Sequence, residues 1–295
     1  MAGLKEIRVR IASVVSTRQI TNAMKMVSAS KLRRAQDAII RLRPFAGKLQ
    51  EILANVSDTL SNDEDNVFVR TKDPERVLFV VITSNRGLCG AFNANITRKT
   101  IQLIHEDYRS LSQSGKLDLF TIGKKGSDYL SRKKYNIIKS RNDLFNGLNF
   151  NSVASVAEEL IHKYLTHEYD KIVLIYNQFK NAAVQILTTE QFLPIVLPEK
   201  KEEKQIVQDY IFEPSKDYIV TELIPKSLKI KFYKALLDSN ASDHGARMTA
   251  MHLATDNATE LIRDLKLYYN KARQAAITKE LLEIVSGAEA LKAKK

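Results

Sequence analysis

The spacing of apolar residues changes period twice along this chain. At the start, Leu4, Ile7, Ile11 and Val14 recur every three or four positions, the seam of a coiled-coil helix. Arg18 and Thr21 interrupt the seam, and apolar residues resume at Met24, Val27, Ala35, Ile39 and Leu42. No Gly or Pro occurs from 4 to 43, so the spacing predicts one continuous helix about 60 Å long. Such a helix is longer than a domain of this size is wide. It must project, or lie along another long helix.

The middle of the chain reads differently. After the polar loop SNDEDN at 61–66, residues 76–82 form an unbroken β-branched and aromatic run, which predicts a strand buried on both faces. A helix is expected over 94–111, strands over 117–122 and 135–139, and a helix over 152–165 with Ser152 as its cap. Further strands are expected over 171–176 and 184–189. Alternating strands and helices predict a mainly parallel α/β sheet. EKKEEKQ at 199–205 reads as a solvated connector, and 210–212 as an edge strand closed by Pro214.

Helical spacing then returns. From 226 to 286 there is no proline and one glycine, Gly245, which predicts a helix about 90 Å long. Met251, Thr255, Ala258, Ile262, Leu265, Tyr269, Ala272 and Ala276 form its seam, and the alanines admit a partner helix closely. The simplest partner is the helix at the other end of the chain. The expected architecture is a small α/β body carrying a two-helix rod built from both termini.

Composition narrows the chemistry. The 295 residues carry a formal charge of +12, a balance suited to an acidic partner such as nucleic acid, an anionic membrane surface or an acidic protein. The N-terminal helix holds ten Lys and Arg residues against Glu6 and Asp37. A single cysteine, Cys89, rules out an internal disulfide and a clustered thiolate zinc site. The longest wholly apolar run is VLFVVI at 77–82, far short of the roughly 20 residues of a membrane span. No apolar signal segment precedes the first helix, so a soluble chain, unprocessed or already mature, is expected.

SNRGLCGAFN at 84–93 follows a strand and opens a helix, where a phosphate-cradling loop would sit. It has only Gly87 and Gly90, matching neither dinucleotide nor P-loop patterns, and reads as a plain strand-to-helix turn. Among His105, His162, His167, His244 and His252 no two share metal-ligand spacing on one helix face. Cys89 reads as a buried turn residue. GKKGSDYLSRKK at 123–134 and KLRRAQ at 31–36 are basic, but lack the interleaved aromatics of a nucleic-acid reader. They read as solvated faces, with an acidic protein partner left open. No catalytic site, cofactor or metal is expected. The reading of another class is an α/β nucleotide-binding enzyme with a helical dimerisation arm.

Both ends together resemble one family. TRQITNAMKMVSASKLRRAQ at 17–36, ARMTAMHLATDNATELI at 246–262 and YNKARQAAITKELLEIVSGAEAL at 269–291 are similar to the gamma subunit of the F-type rotary ATP synthase. ITSNRGLCGAFN at 82–93 and YIFEPS at 210–215 resemble its motifs in the body. The resemblance implies a Rossmann-like, mainly parallel α/β domain plus a long antiparallel two-helix coiled coil of the N- and C-terminal helices. It divides the chain into an N-terminal helix at 1–58, an α/β domain at 75–215 and a C-terminal helix at 222–290.

The resemblance also implies a role: a non-catalytic central stalk that carries torque between membrane proton translocation and a ring of alpha and beta subunits. Partners would be that ring, an epsilon or equivalent subunit and the membrane rotor ring, with no nucleic acid. The chain would sit peripherally on the cytoplasmic face of a bacterial inner membrane, or as a mature chain on the matrix side of the mitochondrial one. Arg273 and Gln274 match the family's pair that reaches a catalytic-subunit loop. Met24, with Met26, matches its M-x-M. Lys25, Lys31, Arg33 and Arg34 would face acidic segments of the catalytic subunits. Ile284 and Val285 belong to a tip held in an apolar sleeve. Gly245 stands where the family usually has a small non-glycine residue, and its replacement by Ala is expected to stabilise the helix.

Overall fold

The computed structural model describes residues 3–60, 68, 73–195 and 222–292. The polar loop at 61–66, the connector at 199–205, the edge strand at 210–212 and the YIFEPS segment lie outside them. Contacts divide the chain into two units, one of 1–27 with 248–295 and one of 28–247.

The larger unit is built on a five-stranded sheet in the order β3-β2-β1-β4-β5. Its strands are β1 (Val77–Ile82), β2 (Leu117–Ile122), β3 (Ile137–Ser140), β4 (Lys171–Phe179) and β5 (Gln185–Leu193). β1 pairs in parallel with β2 and β4, and β2 with β3. β5 runs antiparallel to β4, so the sheet is mixed. A short turn joins β4 to β5, too short for the crossover that a parallel neighbour requires.

β1 is buried along its whole length because both faces are covered. On one face Leu78, Val80 and Ile82 pack with Val153, Val156 and Leu160 of helix α5 (Phe150–Leu165) and with Leu228, Phe232 and Leu236 of the last helix, α6 (Ile224–Lys292). On the other, Val77, Phe79 and Val81 pack with Ile96 and Ile104 of α2 (Phe92–Glu106) and Leu130 of α4 (Lys124–Arg132).

Local details depart from the expected elements. The helix expected over 94–111 stops at Glu106, and a short α3 (Arg109–Gln113) follows. Tyr108 leaves helical geometry (φ −124°, ψ 25°) and sets its ring edge-on to Phe79, centroids 5.1 Å apart. The cap of α5 is Asn149, whose side chain accepts the Ser152 amide at 2.8 Å. Ser152 is therefore the capped residue and not the cap. The basic segment GKKGSDYLSRKK, for which no element was expected, contains α4. Gly123 (φ +102°) and Gly126 let that helix seat against Thr83, since a Cβ on either would lie within 3 Å of it.

The first helix, α1 (Leu4–Leu60), passes Pro44 and Gly47 without ending. Pro44 cannot donate to the carbonyl of Ile40, but Ile40 is exposed, so solvent can reach that acceptor.

In the smaller unit, the start of α1 and the distal part of α6 run antiparallel. Arg8 donates to the Tyr269 hydroxyl at 2.8 Å, and Thr255 to Thr21 at 2.8 Å. The expected seam of α6 holds: Met251, Ala258 and Ile262 are buried, and Thr255, Leu265, Tyr269, Ala272 and Ala276 are half-buried. On α1 the seam differs from the expected one. Thr21 is buried and continues it, while Val27 is exposed and Ser28 is buried in its place. The Thr21–Thr255 hydrogen bond pairs the two hydroxyls, so Thr21 lies within the seam it was expected to interrupt.

Candidate subunit-contact surface

α6 extends beyond the reach of α1. The Arg8–Tyr269 and Thr21–Thr255 bonds set a register that places Leu4 opposite about position 273. Every residue from 277 to 290 is exposed. Leu281, Leu282, Ile284 and Val285 are 58%, 61%, 68% and 54% exposed, a cluster of large apolar side chains on one bare helix. Further back, Val9, Ile20, Met26, Leu253, Leu261 and Leu267 are also exposed. Large apolar side chains exposed in such number on two helices suit a protein contact, because burial returns about 25 cal/mol per Å².

The residues singled out in the sequence are divided between the two units. Arg273 and Gln274 are exposed where α1 runs out, and Ile284 and Val285 lie on the overhanging tip. Met24 and Lys25 are half-buried in the same unit. Lys31, Arg33 and Arg34 are exposed on α1 within the larger unit. Arg8 was passed over in the sequence because a lone arginine on a basic helix carries no signal of a partner 261 positions away.

The loop at 84–93 has a different job from the one its position suggests. It lies where the strand order reverses between β1 and β4, the usual ligand crevice of such sheets. Here it turns on itself: Asn93 accepts the Ser84 amide at 3.0 Å, and its own amide donates to the Ser84 hydroxyl at 2.9 Å. Arg247 of α6, held by Asp243 at 2.8 and 2.6 Å, donates to the carbonyls of Arg86 and Gly87, each at 3.3 Å. The loop thus offers carbonyl oxygens to a guanidinium. A phosphate cradle offers amide hydrogens. Cys89, within the loop, is buried, and burial pushes its thiol pKa up, away from the reactive thiolate.

A profile of the family described as ATP synthase matches residues 3–291. The chain is 58% identical to the ATP synthase gamma chain of Flavobacterium johnsoniae and 56% identical to that of Christiangramia forsetii, each match covering 99% of both chains. The chain belongs to the ATP synthase gamma-chain family. Among solved structures, the central stalk and c-ring of the Tetrahymena thermophila mitochondrial ATP synthase contains a chain of similar fold. That chain has a TM-score of 0.60 at 29% identity, over 80% of this chain and 99% of its own. A chain of the Euglena gracilis mitochondrial enzyme matches in fold with a TM-score of 0.69 at 23% identity, over 99% of this chain and 95% of its own. Membership explains why so much apolar helix stands bare: gamma chains are subunits of a larger assembly. No helix among the described residues is long and apolar enough to cross a membrane.

Proposed function

We infer that this chain is the non-catalytic central-stalk rotor of an F-type ATP synthase, carrying torque between the membrane rotor ring and an alpha/beta catalytic ring. The observation that carries the reading is the overhanging tip of α6, exposed from 277 to 290 and apolar at four large positions, on a chain of the gamma family. A bare apolar helix fits a sleeve formed by other subunits, and its ion pair among the described residues, Lys279 with Glu283 at 3.7 Å, lies along the helix itself and ties the shaft to no partner angle. A shaft acts by making different contacts with each catalytic subunit, since only differential affinity shifts a conformational equilibrium.

In this reading Arg273 and Gln274 reach a catalytic-subunit loop, the guanidinium supplying a rigid fork of donors. Met24 supplies an adaptable apolar contact. Lys25, Lys31, Arg33 and Arg34 meet acidic segments in exposed pairs worth about 0–1 kcal/mol each, weak enough to be exchanged as the shaft turns. The α/β unit, with three parallel pairings and helices on both faces, is read as Rossmann-like, and the chain as an N-terminal helix (1–58), α/β domain (75–215) and C-terminal helix (222–290). The α/β unit joins an epsilon-type subunit and the rotor ring. The assembly is peripheral to a bacterial inner membrane on its cytoplasmic face, in keeping with the bacterial relatives.

Reconstitution tests this. Mixed with alpha and beta subunits from the same source, the chain should co-elute as one copy per ring, and ATP hydrolysis should depend on it. A ring that excludes the chain, or turns over equally without it, overturns the reading. Arg273→Ala/Gln274→Ala should lower turnover while leaving the melting temperature of the free chain unchanged.

A further inference from the structure

Helices α2 and α4 lie side by side on one face of the sheet, and the groove between them encloses about 720 Å³. That is the size of a small-molecule site. Four cations line it: Arg98 from α2, Lys125 and Arg132 from α4, and Lys133 just beyond. No carboxylate lines it. Among the described residues none of the four forms an ion pair. Arg132 is steadied through its Nε, which donates to the Asp128 carbonyl at 2.9 Å, and among the described residues its terminal nitrogens have no partner. Two aromatic rings complete the lining. Tyr129 is exposed at one side, and the hydroxyl of Tyr135 lies 3.2 Å from His105 Nε2. The basic segment that read as a solvated face is therefore one wall of a cleft, and the tyrosines within and just beyond it face into that cleft.

We propose that the α2–α4 groove binds a small polyphosphate-bearing molecule of the nucleoside triphosphate class. Four like charges gathered without counter-charges raise the local potential and draw anions. Two of them are guanidiniums, whose forks match phosphate oxygens in bidentate fashion. A triphosphate concentrates several negative charges in a small part of the available volume, whereas an acidic peptide of the same volume spreads one charge per residue. The remaining volume and the Tyr129 and Tyr135 rings suit an aromatic base, stacked as in other nucleotide and nucleic-acid sites. The groove lies between two helices and shares Asn93 with the end of the loop at 84–93, while that loop's Arg86 and Gly87 carbonyls accept from Arg247. It does not depend on the rotor reading.

The full chain would be titrated by calorimetry at physiological salt, once with ATP and once with inorganic tripolyphosphate. One saturable site is expected for each, with ATP the tighter. Arg98→Ala/Arg132→Ala should weaken both at least tenfold, with an unchanged circular-dichroism melting curve, because both side chains are exposed. Tyr129→Ala should remove the advantage of ATP over tripolyphosphate. Lys266→Ala/Lys271→Ala, an equal loss of charge on α6, should leave both affinities within about twofold. Three results would each overturn the proposal: no saturation of either probe up to about 10 mM, equal weakening by the two charge-removing pairs, or poly-glutamate binding as tightly as tripolyphosphate. ATP binding no tighter than tripolyphosphate would overturn the assignment of the tyrosines.

Discussion

Asp238 and His244 sit two turns apart on α6 in the larger unit, and burial acts on them in opposite directions. Asp238 is 3% exposed. Desolvation raises its pKa to about 6, with Lys234 and Arg43 opposing the rise and Glu190 adding to it. The folded state therefore holds this proton more tightly than the unfolded chain does. The charged carboxylate costs stability above about pH 6, and the cost disappears as pH falls toward the ordinary carboxylate value. Asp238→Asn should stabilise the chain by on the order of 2 kcal/mol at pH 7.5 and by well under about 1 kcal/mol at pH 4. Urea denaturation at the two pH values would show it, and an equal effect at both would refute the assignment. His244 is lowered to about 4, chiefly by desolvation, with Asp243 opposing and Arg247 and Lys31 reinforcing. Its folded form resists protonation, so it removes stability as pH falls from about 6.5 toward 4. The two slopes oppose each other between about pH 4 and 6. In Asp238→Asn the His244 slope stands alone, and the variant should lose stability on acidification through that window.

At the scale of elements, Gly245 shows how a neighbour reverses a propensity argument. Ala exceeds Gly by about 1 kcal/mol in a helix interior, which is why Gly245→Ala was expected to stabilise α6. The β4–β5 turn sets a close contact against that expectation. A Cβ at Gly245 would lie 3.2 Å from both the Cα and the carbonyl oxygen of Ala182, and 3.5 Å from the Phe179 ring. The backbone of a tight turn yields little, so Gly245→Ala should lower the melting temperature by a few degrees and Gly245→Val by more. A higher melting temperature for the Ala variant would show that the turn moves aside. The buried strands were legible because uninterrupted β-branched runs bury on both faces, and β2 falls where expected. The direction of β5 was not legible, since one strand's apolar pattern does not say which way its neighbour runs. α4 was hidden because its apolar content is little more than Leu130 and Tyr129, and its seat depends on two glycines meeting Thr83.

At the scale of the whole molecule, the free chain and the assembled chain should respond differently to changes at the tip. The side chains of Leu281, Leu282, Ile284 and Val285 face solvent and do not hold the fold together. Replacing all four with Ser should leave the melting temperature of the free chain unchanged. The same substitution should weaken retention of the chain by an alpha/beta ring, measured by dissociation on dilution, because each buried aliphatic side chain contributes roughly 1.5–3 kcal/mol. A fall in the free chain's melting temperature would place the tip in the folding core and remove the argument that it awaits a partner.

By itself the sequence determined the periods: helical at both ends, strand-like between, with a seam on α6 that the structure reproduces position by position. Periodicity is a local property, written by which side chains must leave water, and so it is readable from one chain. The terminal motifs determined the family for the same reason, being contiguous strings. Only the tertiary structure decided that Thr21, which the apolar spacing reads as an interruption, belongs to the seam, where it bonds Thr255. It alone decided that Arg247 bonds the carbonyls of Arg86 and Gly87, that Gly245 lies close against Ala182, and that a basic stretch at 123–134 becomes the wall of a cleft with Arg98 opposite. Each of these depends on atoms brought together from distant positions, where the outcome is set by close approach and desolvation, and neither leaves a local pattern along the chain.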